Sequence, residues 1–323
     1  MVGFVWVLLA AVFFCFQNVI VRVLFSSHPV FGLLQTGGFV EPTMANSFLL
    51  LAMRTVLVVP LMAVLAPAIY PAMWKDLHQL GRSERRRDLG LAIAGGILMF
   101  LYLALLYLAI GLIPTGIALT LFFSYPVFTA LFSWRLFGSR PTALLWLVMG
   151  LIFVGGVLTL PQGTFSLSQS SLFGVSLALA SGVVYALYSV NAQRSFERIH
   201  PVPFTWVSFA ITLLLSALSL LVWHGHLDGL PWTPLWIGSL LSGLVTLSGH
   251  LLNNIGIRIV GATTASMVAS TNPALTVVLA WLAIQETLGG RQIVGVLIVT
   301  LSVALLSRVR GGMRGQRAGE QKS

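Results

Sequence analysis

The chain has 323 residues, 57% of them hydrophobic and only 8% charged, where a soluble domain carries about 25% charged residues. The mean hydropathy of +0.95 agrees, and a soluble enzyme, a disordered scaffold and a fibre are excluded in favour of a polytopic membrane protein. The net charge of +10 would suggest nucleic acid in a soluble protein, but here the basic residues cluster between apolar runs and at the C-terminus, as membrane orientation requires, and no nucleic-acid motif is present.

A helix crossing about 30 Å of hydrocarbon needs roughly 20 residues. In chain order, runs of that kind fall at 3–25, 46–66, 89–110, 114–134, 142–160, 173–193, 203–223, 233–256, 262–284 and 291–307. The expected fold is therefore all-α and integral to the membrane, with ten transmembrane helices. A signal peptide is not expected, because Met1-Val2-Gly3 lacks a basic n-region and the first apolar run is too long for an h-region. Cys15, the sole cysteine, sits inside that run and has no disulfide partner in the chain. The segment 26–45, with Pro29, Gly32, Gly37, Gly38 and Pro42, reads as a long outer loop, either a cap on a cavity mouth or a connector.

If the N-terminus is cytoplasmic, Lys75, Arg82, Arg85–Arg87, Arg135, Arg140, Arg194, Arg198, Arg258 and the five basic residues from Arg308 to Lys322 all fall inside. Arg291 alone falls outside, while Arg22 and Arg54 lie within spans. This asymmetry places both termini in the cytoplasm and the protein in the cytoplasmic membrane.

Sliding the chain on itself by 147 positions lays Thr115–Trp134 over Ala262–Trp281, with Ser124-Tyr125-Pro126 on Thr271-Asn272-Pro273. Each block is the fourth span of a five-span half. A second copy of an odd-span unit enters the membrane from the opposite side, so two inverted five-helix repeats are expected: residues 1–160 and 173–307, with an outer linker at 161–172 and a basic cytoplasmic tail at 308–323. Inverted halves are the usual basis of alternating access around a site near the midplane.

Polar residues inside spans mark the candidate site, because unpartnered polar groups in hydrocarbon are costly. In the first span these are Gln17 and Asn18, which pair with Tyr185 and Tyr188 of the sixth under the half-to-half offset; Tyr102 and Tyr107 lie on the third. Pro126 and Pro273 each free a carbonyl four residues upstream, which makes them hinges, and Ser124, Tyr125, Thr271 and Asn272 sit beside the breaks. His250, Asn253 and Asn254 share one face of the eighth span and form the preferred substrate-binding cluster. Arg54, roughly 12 Å deep at 1.5 Å per residue, needs a partner, and Glu286 at the outer end of the ninth span is the expected one, in a structural or gating ion pair. Trp6, Trp146, Trp206, Trp232 and Trp236 are assigned to the interfacial belt. No metal or other cofactor is expected: one central imidazole without carboxylate or thiol is not a ligand set, and Trp223–Asp228, with two His and one Asp, reads as a solvated loop.

Together the ten spans in a 5+5 pattern, the Ala52-Met53-Arg54 arginine, the mid-span prolines of the fourth and ninth, and Ile284-Gln285-Glu286-Thr287-Leu288 followed by Gly295 resemble the EamA-type branch of the drug/metabolite transporter superfamily. Its short Gly-Glu turn has Ser139 in place of Glu in the first half. The resemblance implies metabolite movement across a cytoplasmic membrane, often export of amino acids or related compounds.

The expected function is a carrier for a small zwitterionic or anionic metabolite, an exporter or exchanger working as monomer or homodimer among membrane lipids. Proton coupling has little support, since all eight acidic residues lie in loops, in the tail or at span ends. A membrane enzyme acting on a lipid-like substrate, or a channel, is the alternative; no HExxH, Asp-rich motif, P-loop or Gly-x-Ser-x-Gly elbow supports an enzyme.

Overall fold

The computed structural model describes residues 2–41, 43–113, 115–138, 140–158, 169–222, 229–285, 289–302 and 305. The described residues form thirteen α-helices: α1 Val2–Phe25, α2 Met44–Ile69, α3 Met73–Leu80, α4 Arg86–Leu112, α5 Thr115–Phe122, α6 Tyr125–Phe137, α7 Ala143–Leu158, α8 Gln169–Ser195, α9 Pro201–Val222, α10 Trp232–Val260, α11 Ala262–Ala269, α12 Asn272–Ile284 and α13 Gly290–Ser302. Among the described residues, eight helical stretches are long and apolar enough to cross a membrane: α1, α2, α4, α5 with α6, α8, α9, α10, and α11 with α12. The shorter α7 and α13, which fall on the fifth and tenth expected spans, are apolar helices of 16 and 13 described residues.

The segment expected to be an irregular outer loop contains a hairpin. Strands β1 (Ser27–Val30) and β2 (Leu34–Gly37) pair antiparallel, with Ser27 opposite Gly37 and Val30 opposite Leu34. The turn has positive φ at Phe31 and Gly32 (49° and 69°), the backbone twist that tight hairpins favour. The Phe31 N–H donates to the Ala283 carbonyl at 2.7 Å, which fastens the hairpin to the end of α12. Among the described residues, only these strands depart from an all-helical protein.

Chain connectivity defines two ends of the bundle. The hairpin end holds the end of α1 and the start of α2. The opposite, basic end holds α3, Ser83–Arg85, the start of α4 and the α8–α9 junction, where Arg85 Nη2 donates to the Arg198 carbonyl at 2.9 Å. The two most extensive helix seams are α4 along α8 and α1 along α10. Small residues permit such close seams in lipid, where packing replaces the hydrophobic driving force: a Cβ on Gly256 of α10 would collide with Val7 of α1.

At Pro126 and Pro273 the helices are interrupted, one segment ending just before each proline and another starting beside it. Each stands in the first turn of its second segment, α6 and α12, where the missing N–H leaves no hydrogen bond unmade. The two broken helices share their geometry. Shifted by 147 positions, the bounds of α5 and α6 become those of α11 and α12. Ser124 Oγ donates to the Leu121 carbonyl at 2.6 Å, and at the shifted position Thr271 Oγ1 donates to that of Val268 at 2.8 Å. The caps also correspond: Gly138 and Gln285 are both left-handed, at φ 70° and 53°.

Candidate functional site

Four polar groups lie along the interior. At the second break, Asn18 Nδ2 donates to Asn272 Oδ1 (2.8 Å) and Thr276 Oγ1 (3.1 Å), and Asn272 Nδ2 donates to the Ala11 carbonyl (3.2 Å). The network joins α1 to the start of α12, and its amides are satisfied within the protein.

The second group is aromatic. Tyr185 lies 4.5 Å from Tyr125, 4.9 Å from Tyr102 and 5.4 Å from Phe122 between ring centroids, and Tyr188 adjoins it at 6.0 Å. Edge-to-face pairs of this kind are favoured over sandwiches. Four expected tyrosines, Tyr102, Tyr125, Tyr185 and Tyr188, thus come together from α4, α6 and α8. Phe122 was missed, because nothing in a single sequence distinguishes one span phenylalanine from another. The first break is held against α8 at Gly182, where a Cβ would stand 2.8 Å from the Phe122 carbonyl oxygen. Beside it, Phe123, Ser124, Pro126 and Ser270 border a small hollow that reaches both breaks.

The cluster expected on α10 divides. Asn254, fully buried, donates from Nδ2 to Thr205 Oγ1 at 2.8 Å and to the Tyr188 hydroxyl at 3.1 Å. Asn253 adjoins the Tyr185 hydroxyl. His250 instead stands between Phe14 and Phe209, both edge-on at 5.0 and 5.4 Å, with its Nδ1 unpartnered. One helical face therefore meets three different surroundings, because α10 is enclosed by α1, α2, α8, α9 and α11.

The fourth group surrounds Arg54, which is 6% exposed. One orientation of the Gln17 amide satisfies every neighbour: its oxygen accepts from Arg54 Nη1 at 2.6 Å, and its nitrogen donates to Ser242 Oγ (2.8 Å) and Thr246 Oγ1 (3.1 Å). A guanidinium has no acceptor, so the amide oxygen must face it. A narrow cleft toward the hairpin end is lined by Phe25, Ser47, Arg54, Tyr107, Ser239 and Ser242. The three cleft serines were missed, although on α10 Ser239, Ser242, Thr246, His250 and Asn253 recur every three or four residues and mark a polar stripe.

Arg54 meets Gln17, and its expected partner Glu286 lies outside the described residues, as do Trp223–Asp228 and the tail from 306 onward. Trp206, assigned to the belt, donates from Nε1 to the Val59 carbonyl at 3.2 Å and lies edge-on to Trp74. Among the described residues there is no group of three or more His, Cys, Asp or Glu able to hold a metal ion.

At the basic end, Asp88 accepts from Arg85 Nε at 3.0 Å, and Arg198 Nη1 stands 3.9 Å from its other oxygen. The Tyr70 ring stacks on His200 at 3.9 Å while its hydroxyl donates to Asp76 at 2.7 Å. Burial and the charge of Arg258 hold the His200 imidazole below its ordinary pKa, and the hydrogen bond to Asp76 raises that of Tyr70.

A bundle of membrane-length helices with two broken helices and an internal polar cleft defines a multi-pass membrane protein built to pass a solute. Comparison with known proteins agrees. Residues 172–308 match the model of the EamA-like transporter family. The chain is 55% identical to an uncharacterized transporter of Synechocystis sp., sll1319, over 95% of this chain and 93% of that one. It is 28% identical to the threonine/homoserine exporter RhtA of Salmonella typhimurium, over 73% and 76% of the two chains. A crystal structure of another protein, 16% identical, has the same fold, with a TM-score of 0.72 over 95% of this chain and 96% of that one. The chain belongs to the EamA-like transporters of the drug/metabolite transporter superfamily.

Proposed function

We propose that the protein exports a small zwitterionic amino acid, of the threonine or homoserine kind, across the cytoplasmic membrane by alternating access. Ten crossings form two five-helix units of opposite sense, residues 1–160 and 173–307, with both termini and the tail 308–323 in the cytoplasm and the linker 161–172 outside. The observation that carries this reading is the pair of broken helices with shared bounds, one in each unit, against a buried polar interior. Opposite sense is supported by connectivity: α1 runs from the basic end to the hairpin end, and α8 runs back. Two equivalent units that rock about their shared interior have two comparable minima, which alternating access requires.

Within this proposal the conformation is the outward-facing one. The segments α6 and α11, both nearest the basic end, pack together, and the Asp88–Arg85–Arg198 and Tyr70–His200 contacts join α2–α4 to α8–α9 there. The Arg54 cleft lies toward the other end. The substrate class rests on the RhtA relatives, named as threonine/homoserine exporters, and on an interior whose fixed charge is positive. With no Asp or Glu deep in a span, facilitated export or solute exchange is favoured over proton coupling.

Proteoliposomes loaded with labelled L-threonine test this. Saturable efflux, accelerated by external homoserine and yielding no chemical product, is the expected result. Efflux that rises linearly with concentration means a channel, and product formation means an enzyme; either overturns the reading.

A further inference from the structure

We infer that Arg54, with Ser239 beside it, is a carboxylate-binding subsite and not half of a structural ion pair; the amino-acid substrate in this inference rests on the function proposed above. Arg54 is buried in the second span, yet among the described residues its side chain meets only a neutral acceptor, the Gln17 amide on Nη1. Among the described residues its Nε has no partner, and neither has the hydroxyl of Ser239, which is 2% exposed. Both residues line the same cleft, with Ser47, Tyr107 and Ser242 around them and no carboxylate in the lining.

A guanidinium is permanently charged, and inside a membrane it requires an anion, carbonyls or water. Its planar fork offers adjacent N–H groups matched to the two oxygens of a carboxylate. Gln17, held by Ser242 and Thr246, fixes one side of that fork and leaves the Nε edge unfilled. The Ser239 hydroxyl is a further donor for the same ligand oxygens. Within the bundle, Gly243 brings α10 against the Arg54 carbonyl, so rocking of α10 over α2 changes the shape of the cleft while Arg54 retains its charge. A neutral or cationic ligand leaves the guanidinium uncompensated. A carboxylate, whether carried by an amino acid or a simple hydroxy acid, fills the vacant edge.

The test compares acids with their amides on the purified full-length protein in nanodiscs, by thermal shift and by competition for labelled L-threonine. Wild type is expected to bind L-threonine roughly tenfold or more tightly than L-threonine amide, as loss of a charge-assisted pair requires. Arg54→Gln brings that ratio close to one, Arg54→Lys restores part of it, and Ser239→Ala lowers it a few-fold. Glu286→Gln leaves it unchanged. Equal binding of acid and amide by wild type overturns the inference without needing any variant to fold, and so does a preserved ratio in Arg54→Gln. A ratio that collapses equally in Glu286→Gln restores the ion-pair role and likewise overturns it. Arg54-dependent binding of lactate without binding of threonine or homoserine supports the subsite and removes the amino-acid reading instead.

Discussion

Asn18 Nδ2 donates to Asn272 Oδ1 at 2.8 Å, which ties the first helix to the residue that restarts the ninth span. Asn18, a candidate substrate-facing side chain, braces the broken helix. Substituting Asn272 by Ala leaves the Asn18 amide short of an acceptor and the Ala11 carbonyl short of a donor. Leaving such groups unsatisfied costs about 1–3 kcal/mol, with membrane interiors toward the low end. Thermal unfolding in detergent is expected to show that loss for Asn272→Ala, and Asn18→Ala/Asn272→Ala is expected to cost less than the sum of the singles. Additive losses would mean the two amides do not interact.

Asn254 is fully enclosed by Tyr188 and Thr205. Its truncation to Ala is therefore expected to reduce folded yield and melting temperature, with a loss of about 1–3 kcal/mol, while the affinity of the protein that does fold changes little. Tyr188→Phe removes only one of the two contacts and is expected to cost about 1 kcal/mol. A folded Asn254→Ala protein of unchanged stability and altered substrate preference would return Asn254 to the binding site.

Gly182 and Gly150 provide a paired test of the close approach between α8 and the first break. A Cβ on Gly182 would stand 2.8 Å from a backbone oxygen, whereas one on Gly150 meets nothing within 4 Å. Gly182→Ala must push α8 off the α5–α6 junction, and it is expected to lose about 1–3 kcal/mol of stability and most transport. Gly150→Ala is expected to be neutral or slightly stabilising, since Ala is the better helix former by about 1 kcal/mol. Equal behaviour of the two variants would place α8 farther from the break.

The His200–Tyr70 stack predicts a pH dependence. His200 is held below its ordinary value of 6.5, so the folded protein binds fewer protons there than the unfolded chain does. The associated stability is fully present above pH 6.5 and is lost as pH falls toward the lowered folded value. Melting temperature is expected to decline from pH 7.5 to pH 5, and His200→Gln is expected to flatten that part of the profile. An unchanged slope in the variant would assign the effect to other groups.

Much of the architecture was legible because two signals are local. A run of apolar residues has to become a helix when lipid offers its backbone no hydrogen bonds, and a proline within a span removes one of that helix's hydrogen bonds, although α2 runs on through Pro60 and Pro67. Ser124-Tyr125-Pro126 and Thr271-Asn272-Pro273 therefore announced both breaks. The hairpin was not legible, because Phe31 gives no sign of the positive φ its turn requires. Arg54 was found by depth alone, since a basic residue eight positions into an apolar run is visible without a fold.

The partners of those residues could not be read in the same way. Sequence sets how deep a side chain lies along its helix, but the rotation of that helix against its neighbours comes from packing across the whole bundle. Thus Gln17 and Asn18, adjacent in the chain, point to different helices, one toward Arg54 and Ser242 and the other toward Asn272. His250 and Asn254, one turn apart, meet phenylalanine rings and a hydroxyl pair respectively. The amino-acid sequence by itself determined that this is a many-spanning membrane protein with two matched, proline-broken helices, because hydrophobicity and proline act within a few residues. Only the tertiary structure decided which buried polar groups satisfy one another and which, at Arg54 and Ser239, remain open, because hydrogen bonding in lipid is settled between helices far apart in the chain.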